Sequence, residues 1–113
     1  MSKPTLAVAL IVKNEARHLQ ACLESVCEWV DEIVILDSGS TDNTETIARQ
    51  FTDKFFTNAD WPGFGPQRQR AQAYVESDFI LWLDADERVT PELKTDIQTA
   101  IRQHSGDTLY RIN

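Results

Sequence analysis

Three uninterrupted apolar runs constrain this chain more than any other feature: Leu6 to Val12, Ile33 to Leu36 and Phe79 to Leu83. None alternates with polar residues, as a strand with one wet face does. Each therefore reads as a strand covered on both sides, the pattern of a parallel sheet flanked by helices. The intervals between the runs agree. Ala16, Leu19, Leu23, Val26 and Val30 recur at spacings of three and four, the apolar stripe of an amphipathic helix, with Asn14 placed as its N-cap. Ile47, Ala48 and Phe51 form a shorter stripe, with Asp42 as cap and Glu45 as its capping-box partner. Residues 66–76 read as a helix with a polar outer face. Thr90-Pro91-Glu92 supplies a cap, a first-turn proline and an acid at the positive dipole end, and Leu93, Ile97, Ala100 and Ile101 give that helix its buried stripe. Lys54 to Thr57 reads as a fourth strand and Thr108 to Ile112 as a fifth. The order βαβαβαβαβ predicts an α/β sheet with right-handed crossovers.

Composition narrows the class. A chain of 113 residues fits one domain over residues 1–113, and 42% hydrophobic with 26% charged residues is a globular balance. The net charge of −7 excludes a broad phosphate-binding face for nucleic acid. A nucleotide stays admissible, because one bound cation reverses the local sign. Cys22 and Cys27 lie on one helix and project to different faces, so two reduced thiols are expected. Neither His18 nor His104 stands at zinc-ligand spacing from them. No apolar run approaches the roughly 20 residues that span a membrane, and no cleavage site follows the first run. The expected address is the cytoplasm.

The chemistry gathers where the strands end. The first run leads into Lys13-Asn14-Glu15, the second into Asp37 and the third into Asp84. Ligands of open α/β sheets bind beyond the carboxyl ends of the strands, and parallel strands put all three ends on one edge. Asp84 and Asp86, separated by Ala85, can share a divalent cation, since hard cations prefer carboxylate and phosphate oxygens. In Asp37-Ser38-Gly39-Ser40-Thr41-Asp42, Gly39 allows a tight turn and Asp37 can accept from a base N–H or a sugar hydroxyl. The same composition also suits a capping loop. Arg68 or Arg70 can pair with phosphate, but residues two apart on a helix diverge, so not both. Trp61 and Phe64 are expected to pack beneath their loop.

Together, Val12-Lys13-Asn14-Glu15, Ile35 to Asp42 and Leu83-Asp84-Ala85-Asp86-Glu87 resemble family 2 glycosyltransferases of the GT-A type, from Thr5 to Pro91. The stretch Asp60 to Gln67 resembles the branch that adds glucose or a related sugar to the lipopolysaccharide inner core. The resemblance implies a GT-A, Rossmann-like, mostly parallel sheet, truncated after about its fifth strand. It implies an inverting hexosyltransferase that takes a UDP-sugar donor and a lipid-linked saccharide acceptor and uses Mn2+ or Mg2+. It places Val12, Asn14, Glu15, Asp37, Gly39, Arg68 and Asp84 at the nucleotide. Asp37 would contact the uracil, Asp84 the ribose and the metal's waters, and Asp86 the metal itself. At Arg68 the family's Ala-Arg-Asn string reads Gln67-Arg68-Gln69 here. The acceptor half and the catalytic base are expected beyond Asn113, so the isolated chain would be inactive. It would also self-associate through an exposed C-terminal edge. A lipid-linked acceptor adds the inner face of the inner membrane to the expected address.

Three rival readings compete. A dinucleotide-dependent oxidoreductase needs a glycine-rich turn after the first strand, and Lys13 to His18 contains no glycine. A phosphohydrolase of the haloacid-dehalogenase type carries its Asp-x-Asp on the first strand, whereas here the pair comes late. A nucleotide-binding fragment without catalysis is the competitor from another class.

Overall fold

A computed structural model describes residues 5–58 and 63–103. Four parallel strands form one sheet in the order β3-β2-β1-β4. They are β1 (Leu6–Val12), β2 (Glu32–Asp37), β3 (Phe55–Thr57) and β4 (Phe79–Trp82). Between and after them run α1 (Ala16–Glu24), α2 (Thr44–Ala48), α3 (Phe64–Gln72) and α4 (Pro91–Gln103). The expected α/β alternation is the architecture observed. The fifth strand expected over 108–112, Trp61 and the Phe64 side chain lie outside what is described.

The unbroken apolar runs arise because the sheet is covered twice. Leu6, Val8, Leu10 and Val12 of β1 join Ile33, Ile35, Phe79 and Leu81 in one core with Leu19, Cys22 and Leu23 of α1 and Ile97 and Ile101 of α4. On the other parity of β1 stand Ala7 and Ala9, both fully buried. These small residues suit the close approach of α3, which packs on β1 and β2. Gln67 and Ala71, one turn apart, are its buried positions. Tyr74, just past the helix, stacks on Phe56 of β3 with ring centroids 3.7 Å apart.

The helix starts depart from expectation. Asn14 is not the cap of α1: it takes a left-handed φ of 54°, and Glu15 occupies the cap position without a side-chain bond. The Asn14 carboxamide instead accepts from the Thr41 N–H at 2.8 Å, and the Asn14 N–H donates to Ser40 Oγ at 2.7 Å. The exposed donors of α1 are met from α2: the Glu15 N–H donates to Thr44 Oγ1 at 2.9 Å and the Ala16 N–H to Asp42 Oδ2 at 3.3 Å. Asp42 also accepts from the Thr44 N–H at 3.0 Å, although Asn43 holds the cap position of α2. The Thr44 hydroxyl and N–H, with the Ala16 N–H, hold the exposed Asp42 carboxyl below its usual value despite some desolvation. Glu45 closes no capping box and pairs with Arg49 one turn on, at 2.8 Å. The start of α1 is thus capped across the space between the two helices, by residues 26 or more positions away, whereas α2 is served by Asp42 two residues before Thr44. Thr90 does cap α4, its Oγ1 accepting from the Leu93 N–H at 3.2 Å.

Helix α1 also stops at Glu24 rather than running to Val30. The Ser25 hydroxyl donates to the Cys22 carbonyl at 2.6 Å, competing for the acceptor that a continuing helix would use. A series of turns follows and still carries Val26 into the core.

Candidate functional site

The register decides which residues meet. Asp37 pairs with Val12, and Trp82 pairs with Ala9, so β2 and β4 end on the same edge with β1 between them. The Leu83 N–H still donates to the Ala9 carbonyl at 3.1 Å, and Asp84 follows at once. Two strand spacings, about 10 Å, separate the strands that carry Asp37 and Asp84. The three acid-bearing ends therefore converge on the carboxyl edge of the sheet.

The acids at this edge have different surroundings. Asp37 is buried, and its Oδ2 accepts from the Gly39 and Ser40 N–H groups at 3.0 and 2.8 Å while Oδ1 accepts from the Ser40 hydroxyl. Gly39 has a φ of 108°, a region that a side chain disfavours, so the expected tight turn at this glycine is present. Asp84 and Asp86 are exposed, and neither carboxylate has a hydrogen bond or ion pair among the described residues. Between them Ala85 is buried in the core. The spacing acquires a physical meaning: a small apolar residue is pinned beneath the loop, and its two neighbours are turned outward. Glu87 accepts from the Asp84 N–H at 2.8 Å and closes the turn. No group of three or more His, Cys, Asp or Glu side chains among the described residues could by itself enclose a metal.

Arg68 reaches toward this edge, its guanidinium 5.7 Å from the centre of the Trp82 ring. Arg70 donates to Gln67 Oε1 at 2.8 Å, so the two arginines engage different groups. Gln67 is a residue that sequence reasoning passed over. It is fully buried, and its Nε2 donates to Ser38 Oγ at 2.9 Å, joining α3 to the loop after β2. Its only signal was the buried Ala71 one turn later. Val12, Asn14 and Glu15 lie on the same edge, but several of their backbone groups are committed. The Val12 carbonyl accepts from the Ser38 N–H at 2.8 Å, and the Asn14 and Glu15 N–H groups serve the neighbouring loop.

A cavity of about 610 Å³ opens at the opposite, amino-terminal edge, lined among others by Cys27, Glu32, Lys54, Glu76 and Ser77. Of the four acids that line it, Asp31, Glu32 and Glu76 are engaged, and Asp53 is exposed. Glu32 is paired with Lys54 and accepts from the Glu76 N–H at 3.0 Å and the Ser77 hydroxyl at 2.7 Å. Most of its polar groups already bind one another or the backbone.

The sequence model of Glycosyl transferase family 2 matches residues 7–110. This chain belongs to glycosyltransferase family 2. It is 35% identical over 102 residues to an uncharacterized glycosyltransferase of Rickettsia felis, covering 90% of this chain and 36% of that protein. It is also 35% identical over 101 residues to the prophage-derived glycosyltransferase SunS of Bacillus subtilis, covering 88% of this chain and 24% of the relative. The chain therefore spans about a third or less of the length of these family members. The fold matches S. aureus TarS with a TM-score of 0.74 at 24% identity, over 88% of this chain and 33% of that one. It matches the Mycobacterium tuberculosis glucosyl-3-phosphoglycerate synthase, solved with Mn2+ and UDP-glucose, with a TM-score of 0.64 at 29% identity, over 74% of this chain and 34% of that one. The sheet is thus the GT-A, Rossmann-like sheet, and the dinucleotide and phosphohydrolase readings are not favoured. No helix among the described residues is long and apolar enough to cross a membrane.

Proposed function

We propose that this chain is the donor-binding part of an inverting, cation-dependent hexosyltransferase that takes a UDP-sugar. The observation that carries the reading is the pair of outward carboxylates of Asp84 and Asp86, unpartnered among the described residues, at the edge where β1, β2 and β4 end. Two hard oxygen donors suit Mn2+ or Mg2+. Asp86 would hold the ion, and Asp84 the ribose and the ion's waters. When bound, the ion supplies Lewis-acid stabilisation of the departing diphosphate.

The chain's own residues bind and orient the nucleotide. Asp37 orders the Gly39 turn, and of the roughly four acceptor positions of a carboxylate it has one left for a base N–H. Val12, Asn14, Glu15 and Gly39 shape the cleft from the two adjoining loops. Arg68, parked over Trp82, has the reach and planar fork to pair with phosphate. The acceptor we propose is a lipid-linked saccharide of the lipopolysaccharide-core type. Its support is the sequence Asp60 to Gln67, and it would bring the protein to the inner face of the inner membrane. The base that deprotonates the acceptor belongs to the further length that relatives possess.

Calorimetry with UDP tests the reading. Binding is expected in Mn2+, to vanish on chelation, and to weaken at least about a hundredfold, or 2.7 kcal/mol, in Asp86→Ala. Affinity indifferent to chelation overturns the cation-dependent reading. A mixture of UDP-glucose, Mn2+ and core-lipid acceptor separates binding from transfer: product formed by this chain alone would show that it carries the base as well.

A further inference from the structure

The acidic loop is held from one side by α1, through groups that no part of the proposed donor site uses. Cys22 is fully buried, and its thiol donates to the Asp84 carbonyl at 3.6 Å. Three residues on, the Ser25 hydroxyl accepts from the Val89 N–H at 3.0 Å while donating to the Cys22 carbonyl at 2.6 Å. The loop from Asp84 to Val89 is thus gripped at both ends from one helical turn. Between the grips, Ala85 and Val89 are buried in the same core as Cys22, and the Glu87 carboxylate fixes the Asp84 N–H. What stays free is the outward pair of carboxylates.

We propose that Ser25, assisted by Cys22, is a positioning residue for the cation-binding pair Asp84 and Asp86. The proposal rests on the donor-site reading above and deepens it. Two carboxylates repel one another, and a flexible loop would let them separate. A cation must then collect them at an entropic cost. Anchoring Asp84 by its carbonyl and Val89 by its N–H leaves the intervening residues few conformations. Ser25 is well suited to this, because one hydroxyl both accepts from the loop and donates back to its own helix, which fixes its rotamer. Groups that orient metal ligands from behind are typically worth about ten- to a hundredfold in metal affinity.

The test is Mn2+ affinity of the 113-residue chain in the presence of UDP, followed by the electron paramagnetic resonance signal of free Mn2+. Ser25→Ala is expected to weaken Mn2+ by about tenfold with the circular dichroism spectrum retained. Ser25→Thr keeps the hydroxyl and is expected to restore most of the affinity, a rescue that a simple loss of stability would not show. Cys22→Val removes the thiol donor while keeping an apolar side chain, and is expected to weaken Mn2+ several-fold. It serves in place of Ser25→Ala should that variant not fold. Wild-type affinity in every folded variant overturns the positioning role alone. Absence of UDP-dependent Mn2+ binding in the unsubstituted protein overturns both this role and the donor-site reading.

Discussion

The two edges of the sheet differ in what their acids do. At the amino edge three acids are spent on the fold. Asp31 accepts from the Leu6 N–H at 2.8 Å, Asp78 from the Thr5 N–H at 2.9 Å, and Glu32 ties β2 to Lys54 and to the turn before β4. At the carboxyl edge Asp84 and Asp86 are exposed and unpartnered among the described residues. The amino edge holds a sizeable cavity, yet the carboxyl edge holds the acids proposed to bind the ligand. Acids that satisfy backbone donors or a lysine stabilise the fold and have little capacity left for a ligand. Acids left unpaired side by side cost stability through repulsion, a cost that a bound cation reverses. Asp37 stands between the two cases: it lies on the carboxyl edge and is spent on its own loop.

The sharpest way to break this contrast is to substitute one acid from each edge and measure both properties in both variants. Asp86→Ala is expected to lose the cation-dependent UDP affinity described above while keeping or slightly raising its urea midpoint. Glu32→Ala is expected to lower stability by about 2 kcal/mol, by stranding backbone donors and Lys54, and to leave UDP affinity within a factor of about two. A Glu32→Ala protein of unchanged stability would show that the amino edge is not the clamp its geometry describes.

A smaller effect distinguishes the edges by pH. Burial pushes the Glu32 carboxyl up, but hydrogen bonds from Lys54, Ser77 and the Glu76 N–H, with the Lys54 charge, outweigh it and hold the group below its ordinary 4.5. A carboxyl whose folded value is lowered stabilises the fold fully above its unfolded value, and that stabilisation is lost as pH falls through the folded value. Stability measured by urea unfolding should therefore decline below about pH 4.5 in the wild-type protein, and less steeply in Glu32→Ala. Identical acid slopes would remove Glu32 from the account.

The smallest effect is chemical. Burial, then the nearby charges of Glu87, Asp86 and Asp84, push the Cys22 thiol up to about 12. Cys27 is exposed and lines the amino-edge cavity. Iodoacetamide at pH 8 is expected to label Cys27 and spare Cys22 in the native protein, as peptide mass spectrometry would show. Native labelling of Cys22 would mean that the packing behind the acidic loop opens readily.

Much of this protein was legible without coordinates, because burial leaves a pattern in the chain. The apolar runs at residues 6–12 and 79–83 could only be strands covered on two faces, and α/β alternation followed. The termination of those runs in Asp37 and Asp84 put both acids on one edge, since parallel strands share a direction. The stripe of Leu93, Ile97 and Ile101 and the Thr90 cap were equally local signals. What the sequence could not supply were the partners across space. Asn14 looked like a cap because capping residues usually act on their own helix, yet its carboxamide serves Thr41 and the donors of α1 are met by Asp42 and Thr44. Gln67 looked like one polar residue on a solvated helix until α3 laid it against Ser38. Ser25 and Cys22 carried no signal for the acidic loop, about 60 residues away, because a hydrogen bond between distant segments leaves no periodicity in either. Composition and period determine which faces are buried. Only the packed structure decides which polar group each buried or turning segment finds, and so which acids are left free to bind.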